Sequence, residues 1–342
     1  MKKTGVRGLA KATGLSVATI SRVLNNADNV NKQTRERVLN AMREVGYAPN
    51  PAARALATSR TKTIGAVVPT LAHSIFARFL NAVERELAQH GYALVIATTE
   101  GRPEAEERRV GELMNLGAEA LILSGAEHSK ALLDGLVGRG IPAVCTSVCE
   151  TNNGLPAIGY DNAVIGEAAI RHLAEVGHRS VAVVHGPVSD NDRTRLRISG
   201  VERGARATGV SVSLRESTLD VEGGVAAAQQ LFGDIADVTA VLSLSDVIAL
   251  GVLFEADRRR IAVPDELSLM GCDDLDWSAH SAPPLTTVRL PTARMGICVA
   301  QSLVRHLDHG DSIESVRLEA SIVERNSVRR PRRHALSAAR PA

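Results

Sequence analysis

Apolar and polar residues follow a helical period in the stretch GLSVATISRVLN (14–25), which predicts a helix with two different faces. One face holds Thr19, Ile20 and Val23. The other consists of small or polar residues with one cation and no acid, namely Val17, Ala18, Ser21, Arg22 and Asn25. A helix face that meets only solvent usually mixes acidic and basic residues. The pattern therefore predicts a helix whose outer face contacts a partner.

One further helix is predicted before this stretch. It spans residues 6–13, and Gly14 ends it because glycine readily adopts the left-handed backbone that follows helices. Its inward stripe consists of Val6, Leu9, Ala10 and Thr13. Ser16 is the predicted N-cap of the next helix, which runs to about residue 25. The turn between the two helices has about three residues, which is the spacing of a helix-turn-helix.

A third helix is predicted over residues 32–45, with Asn31 as its N-cap. Its inward positions are Val38, Met42 and Val45. Two prolines follow in YAPNPAARALATSRTKT (47–63), and AARAL is too short to form a stable helix alone. We expect that helix to form only on a partner, into which Leu56 would insert. A flexible linker is the alternative.

From residue 63 onward, apolar strand-like runs alternate with amphipathic stretches. The runs are TIGAVVP, YALVIATT, EALILSG, IPAVCTS, SVAVVHG, TAVLSLSD and LSLMGCDD. The predicted helices lie near 75–90, 103–117, 129–139, 162–176, 194–208, 222–235 and 246–259. This alternation predicts parallel sheets in two halves of similar size. Ligands of such folds bind beyond the carboxyl ends of the strands, which lie where VPTLAHSIF, GPVSDNDRTR, SLSD and GCDDLD begin.

Charge is distributed unevenly along the 342 residues, although the net charge is only +2. Residues 1–60 contain eleven Lys or Arg and three acids, whereas residues 61–327 contain 24 cations and 35 acids. The segment from residue 328 adds five arginines and no acid. A basic head on an acidic body is typical of a protein that binds a polyanion through its head.

The outer face of the second predicted helix has side chains suited to reading DNA in a major groove about 12 Å wide. Arg22 can form two hydrogen bonds with guanine, and Val17 and Ala18 can contact thymine methyl groups. The residues that can bond phosphates or base edges are Ser16, Ser21 and Asn25. The first sixty residues therefore predict a DNA-binding module.

Several other classes of protein lack support in the sequence. No apolar run reaches the roughly 20 residues of a membrane span, and the N-terminus MKKTGVRGLAKATG has no apolar signal region. Cys145, Cys149, Cys272 and Cys298 form no CxxC pair, so we expect reduced, structural thiols in a cytoplasmic protein. No glycine-rich dinucleotide or phosphate loop follows any strand-like run.

One acidic cluster, Asp273, Asp274 and Asp276 with His280, could in principle hold a metal or hydrolyse a substrate. No nucleophile or second set of ligands accompanies it. We therefore expect no catalytic residue, no metal and no cofactor.

The sequences GLSVATISRVLN, TRERV and VGYAPNPAARAL together resemble the lactose/purine repressor (LacI/GalR) family of bacterial transcription regulators, and the similarity continues to about residue 328. The resemblance implies a fold of the α+α/β class. This comprises a three-helix helix-turn-helix head, a hinge helix and a periplasmic-binding-protein-like body of two doubly wound α/β subdomains. It also implies that Val17, Ala18 and Arg22 read bases and that Leu56 intercalates. The other expected DNA-binding positions are Ser16, Thr19, Ser21, Asn25, Tyr47, Asn50 and Ala53.

The same resemblance implies the domain boundaries. They are 4–58 for the DNA-binding domain (helix-turn-helix about 6–25, hinge about 51–58), 62–328 for the effector-binding and dimerisation domain, and 329–342 for a basic, disordered tail. Within the body, one subdomain comprises about 62–160 and 292–320, and the other about 161–291 and 321–328. Gly5 and Gly8 replace the family's Thr-x-x-Asp capping box, which is expected to cost the first helix about 1 kcal/mol.

The body is expected to bind an effector in the cleft between its subdomains. The candidate positions are Phe76, Asp161, Asn191, Arg193, Arg197, Asp246, Asp273 and Trp277. If Arg193 and Arg197 both face the cleft, an anionic ligand such as a sugar acid is favoured, whereas a neutral sugar needs only one arginine. Trp277, the only tryptophan, is equally suited to stacking on a sugar and to packing inside the protein.

The expected protein is a homodimeric repressor that binds a pseudo-palindromic double-stranded operator and responds to a sugar or sugar acid. Effector binding would rotate one subdomain against the other and so form or melt the hinge helices. Control by a protein partner instead of a metabolite is the alternative. A sugar-binding transport protein would share the body but not the basic head.

Overall fold

The computed structural model describes residues 5–24, 30–47, 55, 58–100, 102–234 and 237–331. The chain divides into two compact units, with the boundary between residues 61 and 62. The predicted DNA contacts Asn25, Asn50, Ala53 and Leu56 lie outside the described residues, as do most of the hinge segment and the tail from residue 332.

The described ranges 5–24 and 30–47 of the first unit contain three helices, and each lies close to its predicted position: α1 (Val6–Thr13), α2 (Val17–Leu24) and α3 (Lys32–Glu44). Leu9, Ile20 and Val38 are fully buried between them. The side chain of Asn31 accepts a hydrogen bond from the backbone amide three residues later at 2.7 Å, which confirms the predicted N-cap. No side chain caps α1, as expected with Gly5 at its N-cap.

The second unit contains two six-stranded sheets. In the first, all strands are parallel and run in the order β11-β5-β4-β3-β1-β2. They are β1 (Thr63–Val68), β2 (Ala93–Thr98), β3 (Ala120–Ser124), β4 (Ala143–Thr146), β5 (Ala157–Gly159) and β11 (Val316–Arg317). The associated helices are α4 (Ser74–Gln89), α5 (Pro103–Asn115), α6 (Lys130–Arg139) and α11 (Thr292–His309). α11 packs closely on α4, because Gly296 has no Cβ, which would lie 2.7 Å from the Phe79 carbonyl oxygen.

The second sheet has the order β12-β10-β9-β8-β6-β7, in which only β12 is antiparallel. Its strands are β6 (Ser180–His185), β7 (Ser211–Glu216), β8 (Ala240–Ser243), β9 (Ser268–Asp273), β10 (Thr286–Arg289) and β12 (Ser321–Val323). The associated helices are α7 (Asn162–Val176), α8 (Asp192–Thr208), α9 (Val221–Asp234) and α10 (Asp246–Arg258), with a 3₁₀ turn at Asp276–Ala279. Gly166 and Gly200 let α7 and α8 touch, since a Cβ at either would collide with the backbone of the other helix.

The chain passes between the two sheets after β5, after β10 and after β11. The predicted architecture of a helical head and a body of two parallel α/β layers is confirmed. The strands and α-helices absent from the predicted runs and helices are β5, β7, β10, β11, β12 and α11. β7 has a weak signal because SVSLRE is half polar and lies at a sheet edge, and β5, β10, β11 and β12 have only two to four residues. No helix within the described ranges is long and apolar enough to cross a bilayer.

Candidate functional site

The outer face of α2 is the first candidate site. Ile20 and Val23 are buried in the head. The exposed side chains are Ser16, Val17, Ala18, Ser21 and Arg22. The turn before the helix is formed by Gly14, with φ of 63°, and by Ser16, whose Oγ accepts a hydrogen bond from the Thr19 amide at 3.0 Å. The predicted division into two faces is therefore confirmed for the described residues other than Thr19, which is half-buried, whereas Asn25 lies outside them.

The exposed face of α2 combines one guanidinium group with small side chains. Val17 is apolar yet 47% exposed, and no acid lies on the helix. Small side chains let another surface approach the helix closely, and Arg22 can donate a planar pair of hydrogen bonds to an acceptor on that surface. Tyr47 is half-buried against the core of the head, and its backbone amide donates to the Met42 carbonyl at 2.9 Å. The α2 face has the shape and charge of a major-groove reader.

The second candidate site is a cleft of about 770 Å³ at the carboxyl ends of the strands in both sheets. The predicted residues that line it are Phe76, Asn191, Arg193, Arg197 and Asp273. Sites for small molecules typically have volumes of roughly 300–1,000 Å³. The cleft is therefore large enough to enclose a small metabolite.

Arg197 extends from α8 into the wall of this cleft. Its Nε and Nη2 donate hydrogen bonds to the side-chain oxygen of Asn162 at 3.3 and 2.8 Å, and its Nη1 donates to the Leu244 carbonyl at 2.8 Å. Asn162 is itself buried and donates to the Ser147 carbonyl at 2.8 Å. These bonds fix the orientation of the guanidinium group and use three of its five N–H groups.

Asp273 ends β9 in a strained backbone conformation. Its φ is 137°, and Asp274 follows with φ of 51°. Strain of this kind is concentrated at functional sites. The Oδ2 of Asp273 accepts hydrogen bonds from Ser245 Oγ at 2.9 Å and from the Asp246 amide at 3.3 Å. Burial and the Asp246 carboxylate raise the pKa of Asp273 to about 7 against the opposing effect of Arg197, so its charge can change near neutral pH.

The structure places Asp246 behind the wall of the cleft and not in its lining. Its carboxylate accepts hydrogen bonds from Ser278 Oγ and Thr287 Oγ1, both at 2.6 Å, and from the Leu275 amide at 3.0 Å. Burial raises the pKa of Asp246 above its ordinary value. The three hydrogen bonds join β10 to the segment after β9, and so support the position of Asp273.

Asp161 and Trp277 also lie outside the cleft lining. Asp161 is the N-cap of α7 and accepts hydrogen bonds from the Ala163 and Val164 amides at 2.9 and 3.0 Å. Its other oxygen lies 3.3 Å from the Arg317 guanidinium group. Trp277 is half-buried and packs against the core of the second sheet. Asp161 therefore caps a helix outside the predicted cleft position, and Trp277 has the packing role that was the alternative to stacking on a sugar.

The start of α8 contacts the loop after β3, at one edge of the cleft. Asn191 caps the helix, and the Asp192 carboxylate accepts a hydrogen bond from the Ala126 amide at 2.7 Å. The Arg193 guanidinium group lies 3.0 Å from the same carboxylate. A Cβ at Gly125, which has φ of 90°, would collide with Arg193 and lie 2.8 Å from Asp192 Oδ1. Glycine is required here both by the backbone conformation and by the close approach of α8.

A cluster that was not predicted lies in the wall formed by the first sheet. Glu106 and His128 line the cleft, and His128 Nδ1 lies 3.0 Å from Glu106 Oε2. His128 Nε2 lies 3.3 Å from the Gly125 carbonyl oxygen and 3.5 Å from Cys145 Sγ. Burial alone would lower the pKa of His128, but hydrogen bonds with Cys145 and Glu106 raise it to about 10. The only signal in the sequence is that EHS closely follows an apolar run, where ligand sites occur.

Neither this cluster nor the predicted acidic cluster has the geometry of a catalytic or metal site. Cys145 is fully buried and does not line the cleft, so a substrate cannot reach its sulfur. Burial would raise the pKa of Asp274, but hydrogen bonds from Arg289 and Arg325 at 2.6 and 2.7 Å lower it. Within the described ranges, no three His, Cys, Asp or Glu side chains are grouped to hold a metal. All four cysteines are free.

Comparisons with known proteins match both units. Residues 7–50 match bacterial regulatory proteins of the lacI family, and residues 170–328 match a periplasmic binding protein-like domain. The HTH-type transcriptional regulator DegA of Bacillus subtilis (strain 168) is 30% identical over 300 residues, which are 86% of this chain and 92% of DegA.

Two solved structures share the fold over nearly the whole chain. The lac repressor dimer bound to operator and the anti-inducer ONPF has a TM-score of 0.84 and 25% identity, with 96% of this chain and 100% of that chain covered. The complex of the transcriptional regulator CelR with cellobiose has a TM-score of 0.70 and 28% identity, with 94% of this chain and 99% of the CelR chain covered.

Proposed function

The chain belongs to the lacI family of bacterial regulatory proteins, and from that premise we propose that it is a DNA-binding transcriptional repressor controlled by a small-molecule effector. The head binds operator DNA and the cleft of the body binds the effector. The observation that carries the proposal is the face of α2, which is exposed, contains Arg22 and no acid, and directly follows the turn of a helix-turn-helix.

In the proposed complex, α2 lies in the major groove of the operator. Arg22 donates two hydrogen bonds to a guanine, and Val17 and Ala18 contact thymine methyl groups. The other proposed DNA contacts are Ser16, Thr19, Ser21, Asn25, Tyr47, Asn50, Ala53 and Leu56. The excess of eleven cations over three acids in residues 1–60 supports attraction to the phosphate backbone.

We infer that the effector is a neutral sugar and not a sugar acid. The charge of Arg193 is compensated within the protein, because the Asp192 carboxylate lies 3.0 Å away. Arg197 donates to amide and carbonyl oxygens, and the Asp273 carboxyl group lies in the same cleft. Sugar hydroxyls suit a site with one arginine and one carboxyl group, because a hydroxyl can accept a hydrogen bond from the guanidinium group and donate one to the carboxyl group. The similarity to CelR, which was solved with cellobiose, supports this class of ligand.

We further propose that the protein acts as a homodimer. Two heads would bind half-sites of a pseudo-palindromic operator about one DNA turn apart, and the similarity to the lac repressor dimer supports this arrangement. Residues 62–160 with 292–320, and 161–291 with 321–328, would be the two subdomains whose relative rotation transmits effector binding to the head. Such a regulator acts in the cytoplasm, where the operator lies, and needs no catalytic residue.

Fluorescence anisotropy with DNA from the region upstream of the protein's own gene tests the DNA-binding proposal. Arg22→Ala should weaken specific binding about tenfold or more, because a bidentate contact to guanine discriminates by about 1–3 kcal/mol. Arg22→Lys keeps the charge but not the paired donors, so it should lose specificity while retaining the salt dependence of binding. Arg43→Ala, an exposed cation on α3, is the control. Unchanged operator affinity in Arg22→Ala would contradict the proposal.

Titration of the same complex with ribose, glucose, galactose, cellobiose and gluconate tests the effector. Release of the DNA by a neutral sugar supports the proposed ligand class. Release by gluconate alone would contradict it and favour an anionic effector. Operator binding that none of these compounds changes would favour control by a protein partner.

A further inference from the structure

The buried cluster of Glu106, His128 and Cys145 has no part in the proposed contacts with Arg197 and Asp273. It lies on the opposite side of the cleft, in the wall formed by the first sheet. The side chain of His128 is fully buried, whereas that of Glu106 keeps 15% of its surface exposed. The histidine is thus closed off from a ligand, while the glutamate can reach one.

The hydrogen bonds of His128 define which group carries the proton. The Gly125 carbonyl oxygen, 3.3 Å from Nε2, can only accept, so Nε2 must carry a hydrogen. Nδ1 faces both oxygens of Glu106, at 3.1 and 3.0 Å. With a pKa raised to about 10 by its hydrogen bonds against the effect of burial, the ring is an imidazolium that donates from both nitrogens. Glu106 is then a carboxylate held in one orientation.

The Glu106 carboxylate can accept more hydrogen bonds than the one it receives from His128. Its two oxygens offer about four lone-pair positions, and the shared Nδ1–H of His128 uses at most two of them. Ser124 Oγ, at the end of β3, also lines the cleft and has no hydrogen-bond partner among the described residues. The wall formed by the first sheet therefore presents a fixed acceptor, Glu106, to the cleft, and the buried Ser124 hydroxyl lies in the same wall without a partner among the described residues.

We propose that Glu106 is an effector-binding residue that accepts hydrogen bonds from hydroxyl groups of the sugar, and that His128 is its positioning residue. The inference rests on the proposed carbohydrate function and adds a second recognition wall to it. Because Glu106 and the imidazolium form a pair with no net charge, the site favours a hydroxyl donor over a cation. Glu106 on one wall and Asp273 on the other would both accept hydrogen bonds from the sugar. Because these bonds join the two walls through the ligand, sugar binding favours the closed cleft.

Isothermal titration calorimetry on the intact protein tests the proposal with ribose, glucose, galactose and cellobiose as probes. Glu106→Gln should weaken binding of the cognate sugar at least tenfold and leave operator affinity without sugar unchanged. Glu104→Gln, an exposed acid on the same turn of α5, is the matched control and should bind normally. The wild-type protein should bind one monodeoxy derivative of the cognate sugar much more weakly, and Glu106→Gln should lose that discrimination.

His128→Gln separates positioning from simple stability. It should reduce discrimination against the same deoxy derivative, and the double variant with Glu106→Gln should be no worse than Glu106→Gln alone. A destabilising effect of His128→Gln would change affinity for the sugar and its deoxy derivative equally. In the unaltered protein, the ¹⁵N resonances of the His128 ring should shift when the sugar binds, which needs no variant.

The outcomes are distinguishable. A wild-type protein that binds a sugar, with equal affinity in Glu106→Gln or without a shift at His128, overturns the role of Glu106 and leaves the carbohydrate function standing. A wild-type protein that binds none of the four sugars refutes the carbohydrate function, and the role of Glu106 with it.

Discussion

Asp246→Ala would remove the acceptor of three buried hydrogen-bond donors. The Leu275 amide cannot reorient, whereas the hydroxyls of Ser278 and Thr287 can turn toward other acceptors. Each buried donor left unsatisfied costs about 1–3 kcal/mol. Loss of the carboxylate also removes the unfavourable burial of its charge, which offsets part of that cost. We expect the free energy of unfolding to fall by about 3 kcal/mol.

Asp246→Asn separates hydrogen bonding from charge at the same position. The amide oxygen can keep the bonds from Leu275 and Ser278, and the NH₂ group can donate to Thr287 Oγ1, which is free to rotate. We expect a loss of less than about 1 kcal/mol. Asp257→Ala, exposed on the same helix α10, is the control and should change stability by less than about 0.5 kcal/mol.

Urea unfolding followed by circular dichroism measures these differences, and the fluorescence of Trp277 reports on the turn beside Ser278. A variant Asp246→Ala as stable as the wild type would refute the conclusion that this carboxylate holds the segment after β9. Equal losses in the Ala and Asn variants would show that the charge matters and the hydrogen bonds do not.

Three further substitutions address other parts of the molecule. Ser16→Ala removes the N-cap of α2 and should cost about 1 kcal/mol of helix stability, seen as faster amide hydrogen exchange in α2; unchanged exchange would argue against the cap. Gly125→Ala introduces a Cβ at φ of 90° against Asp192 and should separate the edges of the cleft, so small-angle X-ray scattering should give a larger radius of gyration, and an identical profile would contradict this. Because the folded-state pKa of Asp273 is raised from 3.8 to about 7, its contribution to stability is present below pH 4 and is lost as pH rises to 7. Asp273→Asn should flatten that part of the stability profile, and a profile that keeps the same slope would show that another group titrates.

The head could be predicted in detail because its structure depends on residues close together in the chain. Gly14 and Asn31 mark helix ends through interactions that span at most four residues. The buried and exposed faces of α2 follow from the spacing of Ile20 and Val23 along one helix. The alternation of strands and helices in the body is equally local, so the two α/β layers were also predictable.

The candidate site in the cleft was only partly predictable, because its residues meet through contacts between distant segments. Glu106 and His128 are 22 residues apart on different elements, and no spacing rule connects them. Asp246 and Asp273 both follow apolar runs, and nothing in the sequence distinguishes the lining residue from the supporting one. The difference arises because Gly271 leaves room beneath β9, where a Cβ would collide with Asp246 Oδ1.

The path of the chain between the sheets also constrains how the protein is made. β11 completes an edge of the first sheet and α11 covers α4, yet both are encoded after residue 291. The side of α4 that α11 covers, which includes buried side chains such as Phe79 and Val83, therefore stays exposed until α11 has left the ribosome. Nascent chains that end before residue 291 should accordingly be clients of ribosome-associated chaperones. A premature stop within α11 (Thr292–His309) should leave an aggregating fragment and no partially active regulator.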